Sequence, residues 1–224
     1  MLVEKEILSV DEARALYAPS DATHDFDHVL RVARMAVHIA EQEGADVGVV
    51  HVAALLHDVP VDSIADTDID GARSMRKEHH LAAAQAARTL LHQRGLGTDA
   101  TERIVHCIEA HRYRDRTIQP ETLEAQCVYD ADKLDSMGAI GIARVFAYAG
   151  SHSSRLWTEP VASMSSRANA PDGEEYTPVH EYYYKLDKLL DCLHTQTARR
   201  IGRERHTFMK QFFERLDAEM LADA

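Results

Sequence analysis

His57 and Asp58 stand side by side at the end of an apolar run, VAALLHDVP, where Pro60 stops a helix. A carboxylate at the end of a buried helix needs a partner. A cation held jointly with the imidazole would supply one. Upstream, THDFDHVLRV carries His24 and His28 one helical turn apart, with Arg31 in reach of His28. Downstream, VYDADKLDSMGAIGIAR places Asp130, Asp132 and Asp135 in a helix with a strongly apolar face. Asp130 and Asp132 lie roughly 200° apart around that helix, so the two cannot face one metal along the same stripe. A histidine from the first segment, the His-Asp pair and one of these aspartates make two imidazoles and two carboxylates. Such a set suits a divalent first-row metal. It leaves coordination positions open for water and substrate.

Positioning these side chains takes helices, and the pattern is helical nearly throughout. FDHVLRVARMAVHIAEQEG puts Val29, Val32, Ala33, Ala36, Val37 and Ala40 on one face and ends at Gly44. DVGVVHVAALLH reads as a short buried helix, although its valines also suit a strand. KEHHLAAAQAARTLLHQRG closes at Gly95, and DATERIVHCIEAHRYR opens on an Asp or Thr cap. PETLEAQCVYDADKLDSMGAIGIARVFAYAG runs as one helical stretch from Pro120 to Gly150. Residues 178–221 form a last amphipathic stretch, as two helices. Residues 62–77 are polar and turn-forming. Residues 151–177 lack periodicity, and a loop of that length points to a functional segment such as a lid that helps set specificity. With no internal repeat and no linker, the expectation is one all-α domain over 1–224, a single-domain helical bundle with its metal-binding core at about 22–150.

The formal charge of −12 argues against a nucleic-acid polymer or an anionic membrane as partner, since both want clustered Lys and Arg. It leaves room for a small basic pocket that takes a phosphorylated compound. Cys107, Cys127 and Cys192 are odd in number and form no CxxC pair, which fits reduced thiols in a cytoplasmic protein. MLVEKEILSV has no signal-peptide core, and no run approaches the roughly 18 apolar residues of a membrane span. The 14 histidines are dispersed rather than clustered as a tag. The tyrosines of YYYK, Tyr182 to Tyr184, read as packing and surface rather than as a base-stacking platform.

The order His28, His57-Asp58, Asp132 resembles the HD-domain superfamily of metal-dependent phosphohydrolases, and most closely its small stand-alone bacterial members. The resemblance runs through HDFDHVLRV, HDV, IEAH and DADKLDSMGAIGIARVFA to YKLDKLL. It implies an all-α bundle with the metal between central helices. It implies His28, His57, Asp58 and Asp132 as ligands, Asp132 being preferred to Asp130 because ADKL resembles the family's ADRL. The ion would be Mn, Mg, Co, Ni, Fe or Zn. Some members bind two metals through extra histidines, and here His80 with either His106 or His111 could serve; the preferred reading leaves KEHHLAAA as an exposed helix start. Asp58 and Asp62 are the implied catalytic acids, Asp62 acting on the attacking water. His24, Lys133, Arg144 and Lys185 are the implied phosphate contacts. The implied function is hydrolysis of a small phosphorylated compound, a nucleotide above all, with release of phosphate or pyrophosphate. A non-hydrolytic nucleotide sensor and a di-iron oxygenase are the alternatives.

Overall fold

A computed structural model of the chain describes residues 7–17, 26–60, 72–112, 118–166 and 175–223, with residues 72–79 as backbone alone. The described residues are helical throughout, with no strand among them. Two compact units divide the chain, residues 1–132 and 133–224.

The first unit holds α1 (Val10–Leu16), α2 (Phe26–Glu43), α3 (Val47–Leu56), α4 (Ala72–Gln93), α5 (Thr98–Glu109) and most of α6 (Leu123–Asp135). Helix α3 is the Val-rich segment that also suited a strand. The Asp46 carboxylate caps it by accepting the amides of Gly48 and Val49. From Val49 on it is buried almost all round, and it packs against α1, α2, α4 and α5. A helix that is apolar on every side belongs at the centre of its unit. Around it, α2 buries Val29, Val32, Ala33, Ala36, Ile39 and Ala40, with Ile39 taking the interior place expected of Val37. Gly44, at φ +78°, ends that helix and Gly95, at φ +81°, follows α4. Helix α5 starts two to four residues earlier than its Asp99 or Thr101 suggests: Gly97 is its N-cap, in an extended conformation without a side-chain bond.

Helix α4 begins at Ala72, inside the segment expected to be turns. His80 therefore lies in the body of a helix and is buried, not at an exposed helix start. The stretch expected to run unbroken from Pro120 to Gly150 begins at Leu123 and breaks after Asp135. Gly138, at φ +68°, makes the turn into α7 (Gly138–Ser151).

The second unit holds α7, α8 (Pro178–Tyr184) and α9 (Gln196–Met220), with short 3₁₀ turns at Val161–Ser166, Leu186–Lys188 and Leu190–Cys192. Tyr182 stacks on Phe213 at 4.2 Å between ring centres, a packing role. The part of loop 151–177 that is described is pinned to α9: the Trp157 indole and the Val161 amide each donate to the Asp217 carboxylate at 2.8 Å. A Cβ at Gly141 would collide with the Ser136 backbone carbonyl, whereas one at Gly150 meets nothing within 4 Å. Gly141→Ala is therefore expected to cost about 1–3 kcal/mol. Gly150→Ala, in the same helix, should hold or raise stability, because Ala is the better helix former. Thermal melts of the two variants check the opposite signs.

Candidate metal centre

The C-terminal end of a helix leaves four carbonyls without partners. In α3 three of them, on Ala54, Leu55 and Leu56, are met in an ordered way. His57, the C-cap, turns its Nδ1 back to donate to the Ala54 carbonyl at 2.8 Å. The Tyr17 hydroxyl donates to the Leu55 carbonyl at 2.8 Å, and the Val59 amide reaches the Leu56 carbonyl at 3.2 Å. Since a carbonyl only accepts, the proton of a neutral His57 sits on Nδ1, and Nε2 is left with its lone pair. That Nε2 is buried and has no hydrogen-bond partner. Helix α5 repeats the device. His111, just beyond the C-cap Ala110, donates from Nδ1 to the Ile108 carbonyl at 2.6 Å and turns its Nε2 toward Asp58.

Asp58 is the hub of these rings. Its Oδ2 stands 3.7 Å from His28 Nε2 and 3.5 Å from His57 Nε2. Its Oδ1 stands 3.5 Å from His111 Nε2. Asp132 places Oδ1 3.4 Å from His28 Nε2. These separations are long for hydrogen bonds. They suit donors sharing an ion, since ligands at about 2.0–2.2 Å from one centre stand roughly 3–3.5 Å apart. One donor atom from each of His28, His57 and Asp58 lies within 4.8 Å of the others, so the three could hold a metal ion. The buried Nε2 of His57, aimed at the carboxylate, is the observation that tests the fit, and it passes.

The electrostatics favour a cation. The partial negative C-terminal ends of α3 and α5 both carry residues of the cluster. For Asp58, burial works to raise the carboxyl pKa, but the imidazoles of His57, His111 and His28 outweigh it and hold the group well below the usual carboxylate range. For His57, burial lowers the imidazole pKa and the attraction of Asp58 only partly offsets it. A carboxylate beside a neutral imidazole is the ligand-ready state.

The structure brings His28, His57, Asp58 and Asp132 together in the first unit. Asp130, one-half turn away, is fully buried elsewhere on α6. Of the extra histidines, His111 meets Asp58, and His80 stands 6.4 Å from His111 between ring centres; both are buried. His106 does not join them, because its Nε2 accepts the Glu121 amide at 3.2 Å. His24 and Asp62 lie outside the described residues. Lys133, Arg144 and Lys185 belong to the second unit. Lys133 is buried, Arg144 donates to the Asp135 carboxylate at 2.8 Å, and Lys185 to that of Glu181 at 2.6 Å. Sequence reasoning did not single out Tyr17. Its only signal was an aromatic residue at the end of a short capped helix.

Other chemistry is weaker. Burial pushes the thiols of Cys107 and Cys127 up to about 12, which leaves neither of them a nucleophile near neutral pH. No helix of the described residues is long and apolar enough to cross a membrane.

Residues 25–137 match the family model of the HD domain. YpgQ of Bacillus subtilis is 31% identical over 223 residues, covering 96% of each chain. Its crystal structure in complex with ADP superposes with a TM-score of 0.69 and covers 94% of this chain and 97% of that one. A Lactobacillus plantarum protein gives a TM-score of 0.72 at 28% identity, covering both chains fully. An HD-superfamily hydrolase from Bacillus thuringiensis gives 0.65 at 28% identity over 95% of each chain.

Proposed function

Since the chain belongs to the HD-domain family, we propose that it is a metal-dependent phosphohydrolase whose substrate is a nucleotide, cleaved with release of phosphate or pyrophosphate. The observation that carries the reading is the convergence of His28, His57 and Asp58 on one point. The ADP bound by YpgQ supports a nucleotide as the phosphorylated ligand. His28, His57, Asp58 and Asp132 would hold the ion. A divalent ion in such a place polarises a phosphoryl oxygen and makes bound water acidic enough to attack near neutral pH.

The protein's own residues do the rest. The back-bonds to Ala54 and Ile108 hold the rings of His57 and His111 with Nδ1 engaged and Nε2 toward Asp58, and burial favours the neutral form of His57. Asp58 stays ionised and keeps two oxygens available to separate groups of imidazoles. Asp62, four residues on, is proposed to orient or deprotonate the attacking water. His24, Lys133, Arg144 and Lys185 are proposed to neutralise phosphate charge; Arg144 and Lys185 would then exchange their present carboxylate partners for substrate oxygens.

A second reading concerns the number of ions. His111 faces the oxygen of Asp58 that His28 and His57 do not, and His80 lies beyond it. That arrangement favours a second ion, held by Asp58, His111 and His80. The first test is bound metal per chain after purification without chelator, followed by a screen of nucleotide mono-, di- and triphosphates with Mn, Mg, Co and Ni. Metal with phosphate or pyrophosphate release is the expected result. Tight nucleotide binding without turnover would make the protein a sensor. Two irons without hydrolysis would make it an oxygenase. His111→Ala is expected to lower a stoichiometry of two to one, and an unchanged stoichiometry would rule out the second position.

A further inference from the structure

We propose that Tyr17 is a positioning residue for Asp58, its hydroxyl clamping the turn after α3 and so fixing where the carboxylate stands. This rests on the metal reading of the site. The hydroxyl does two things at once. It donates to the Leu55 carbonyl at 2.8 Å, and its oxygen accepts the backbone amide of Asp58. One side chain thereby satisfies an orphan carbonyl of α3 and the amide of a ligand residue. Its ring stands 5.2 Å from that of Phe26, two residues before His28, tilted at 53° to it, and the Arg14 guanidinium lies 4.5 Å over the Phe26 ring. Tyr17 thus touches both the start of α2 and the end of α3, the two places that must meet for His28 and Asp58 to approach each other.

The base of the clamp is fixed. Ser9 and Glu12 cap the start of α1 reciprocally. Arg94, just after α4, donates to both the Glu12 carboxylate and the Ile7 carbonyl at 2.9 Å. Burial, and then the charge of Asp58, hold the Tyr17 phenol well above its usual pKa. It remains a donor at any working pH. Phenylalanine would keep the ring and its contact with Phe26 but lose both hydrogen bonds.

Partners one step behind a metal ligand are worth about 10–100-fold in affinity. Tyr17→Phe in the full chain is expected to raise the Kd for Mn(II) about tenfold, read as free Mn(II) by electron paramagnetic resonance. It should also shift the visible d–d bands of the Co(II)-loaded protein. Leu8→Ala is the control: Leu8 is fully buried beside the same helix and bonds nothing at the site. It should lower Tm and leave the Mn(II) Kd and Co(II) bands unchanged. A Tyr17→Phe chain that loses Tm as the control does, yet binds Mn(II) within twofold of the parent with identical Co(II) bands, would overturn the positioning role. A parent chain that takes up no Mn(II) at all would overturn the metal reading, and this inference with it.

Discussion

Asp58→Ala is expected to empty the centre of metal and to lower nucleotide hydrolysis on the order of 10³-fold or more, while the far-ultraviolet circular dichroism stays that of a helical protein. The size of the effect follows from the place of this carboxylate. It stands against three imidazoles, through both of its oxygens. Without it, His28 and His57 lose the charge that makes their site attractive to a cation, and His111 loses its link to them. The fold should survive, because the bonds that close α3 are supplied by other groups. The α3 carbonyls are met by His57, Tyr17 and the Val59 amide. Metal analysis and a phosphate-release assay on the same preparation check both halves. Full metal content with full activity would refute the proposed function outright.

The candidate ligand residues are legible where the signal is local. A His-Asp pair closing an apolar helix, and an aspartate within ADKL, can be read from neighbouring residues, and the structure places these groups against His28. Other features depend on contacts that spacing does not show. In the sequence His111 stands only as an alternative to His106, and spacing does not choose between them. What aims it is a bond to a carbonyl three residues back, available only because α5 stops at Glu109. For His80 the polar residues of KEHH suggest an exposed helix start, yet the residues before it are already helical from Ala72. The break between α6 and α7 depends on a single positive φ at Gly138, and glycine alone does not announce one. Tyr17 was invisible for a related reason. Its partners are backbone groups about 38 residues away in sequence, and backbone groups leave no signature.

Adding metal is expected to stabilise the protein strongly at pH 8 and progressively less as the pH falls below the ordinary imidazole range. An ion present at about a thousand times its Kd contributes roughly 4 kcal/mol, which for a chain of this size raises Tm by roughly 10 °C. The gain needs unprotonated imidazole nitrogens, and here the sign can be worked out. The pKa of His57 is depressed by burial, against the partial opposition of Asp58. Its nitrogen is thus open at and above the ordinary imidazole value of about 6.5, and it closes as the pH falls through the lower folded value. Asp58, held well below the carboxylate range, remains charged throughout that window. The loss of metal on acidification therefore belongs to the imidazoles and not to the carboxylate. The metal-free chain should show a weaker trend of the same sign. Below about pH 6.5 the unfolded His57 binds a proton that the folded one refuses, so stability falls with pH in that range. The contribution of Asp58 persists until the pH drops through its own depressed value. Melts across pH 5–8, with Mn(II) and with chelator, separate the two trends. A metal-induced gain that stayed constant until the carboxylates themselves protonate would mean that carboxylates alone hold the ion, and that His57 is buried for packing.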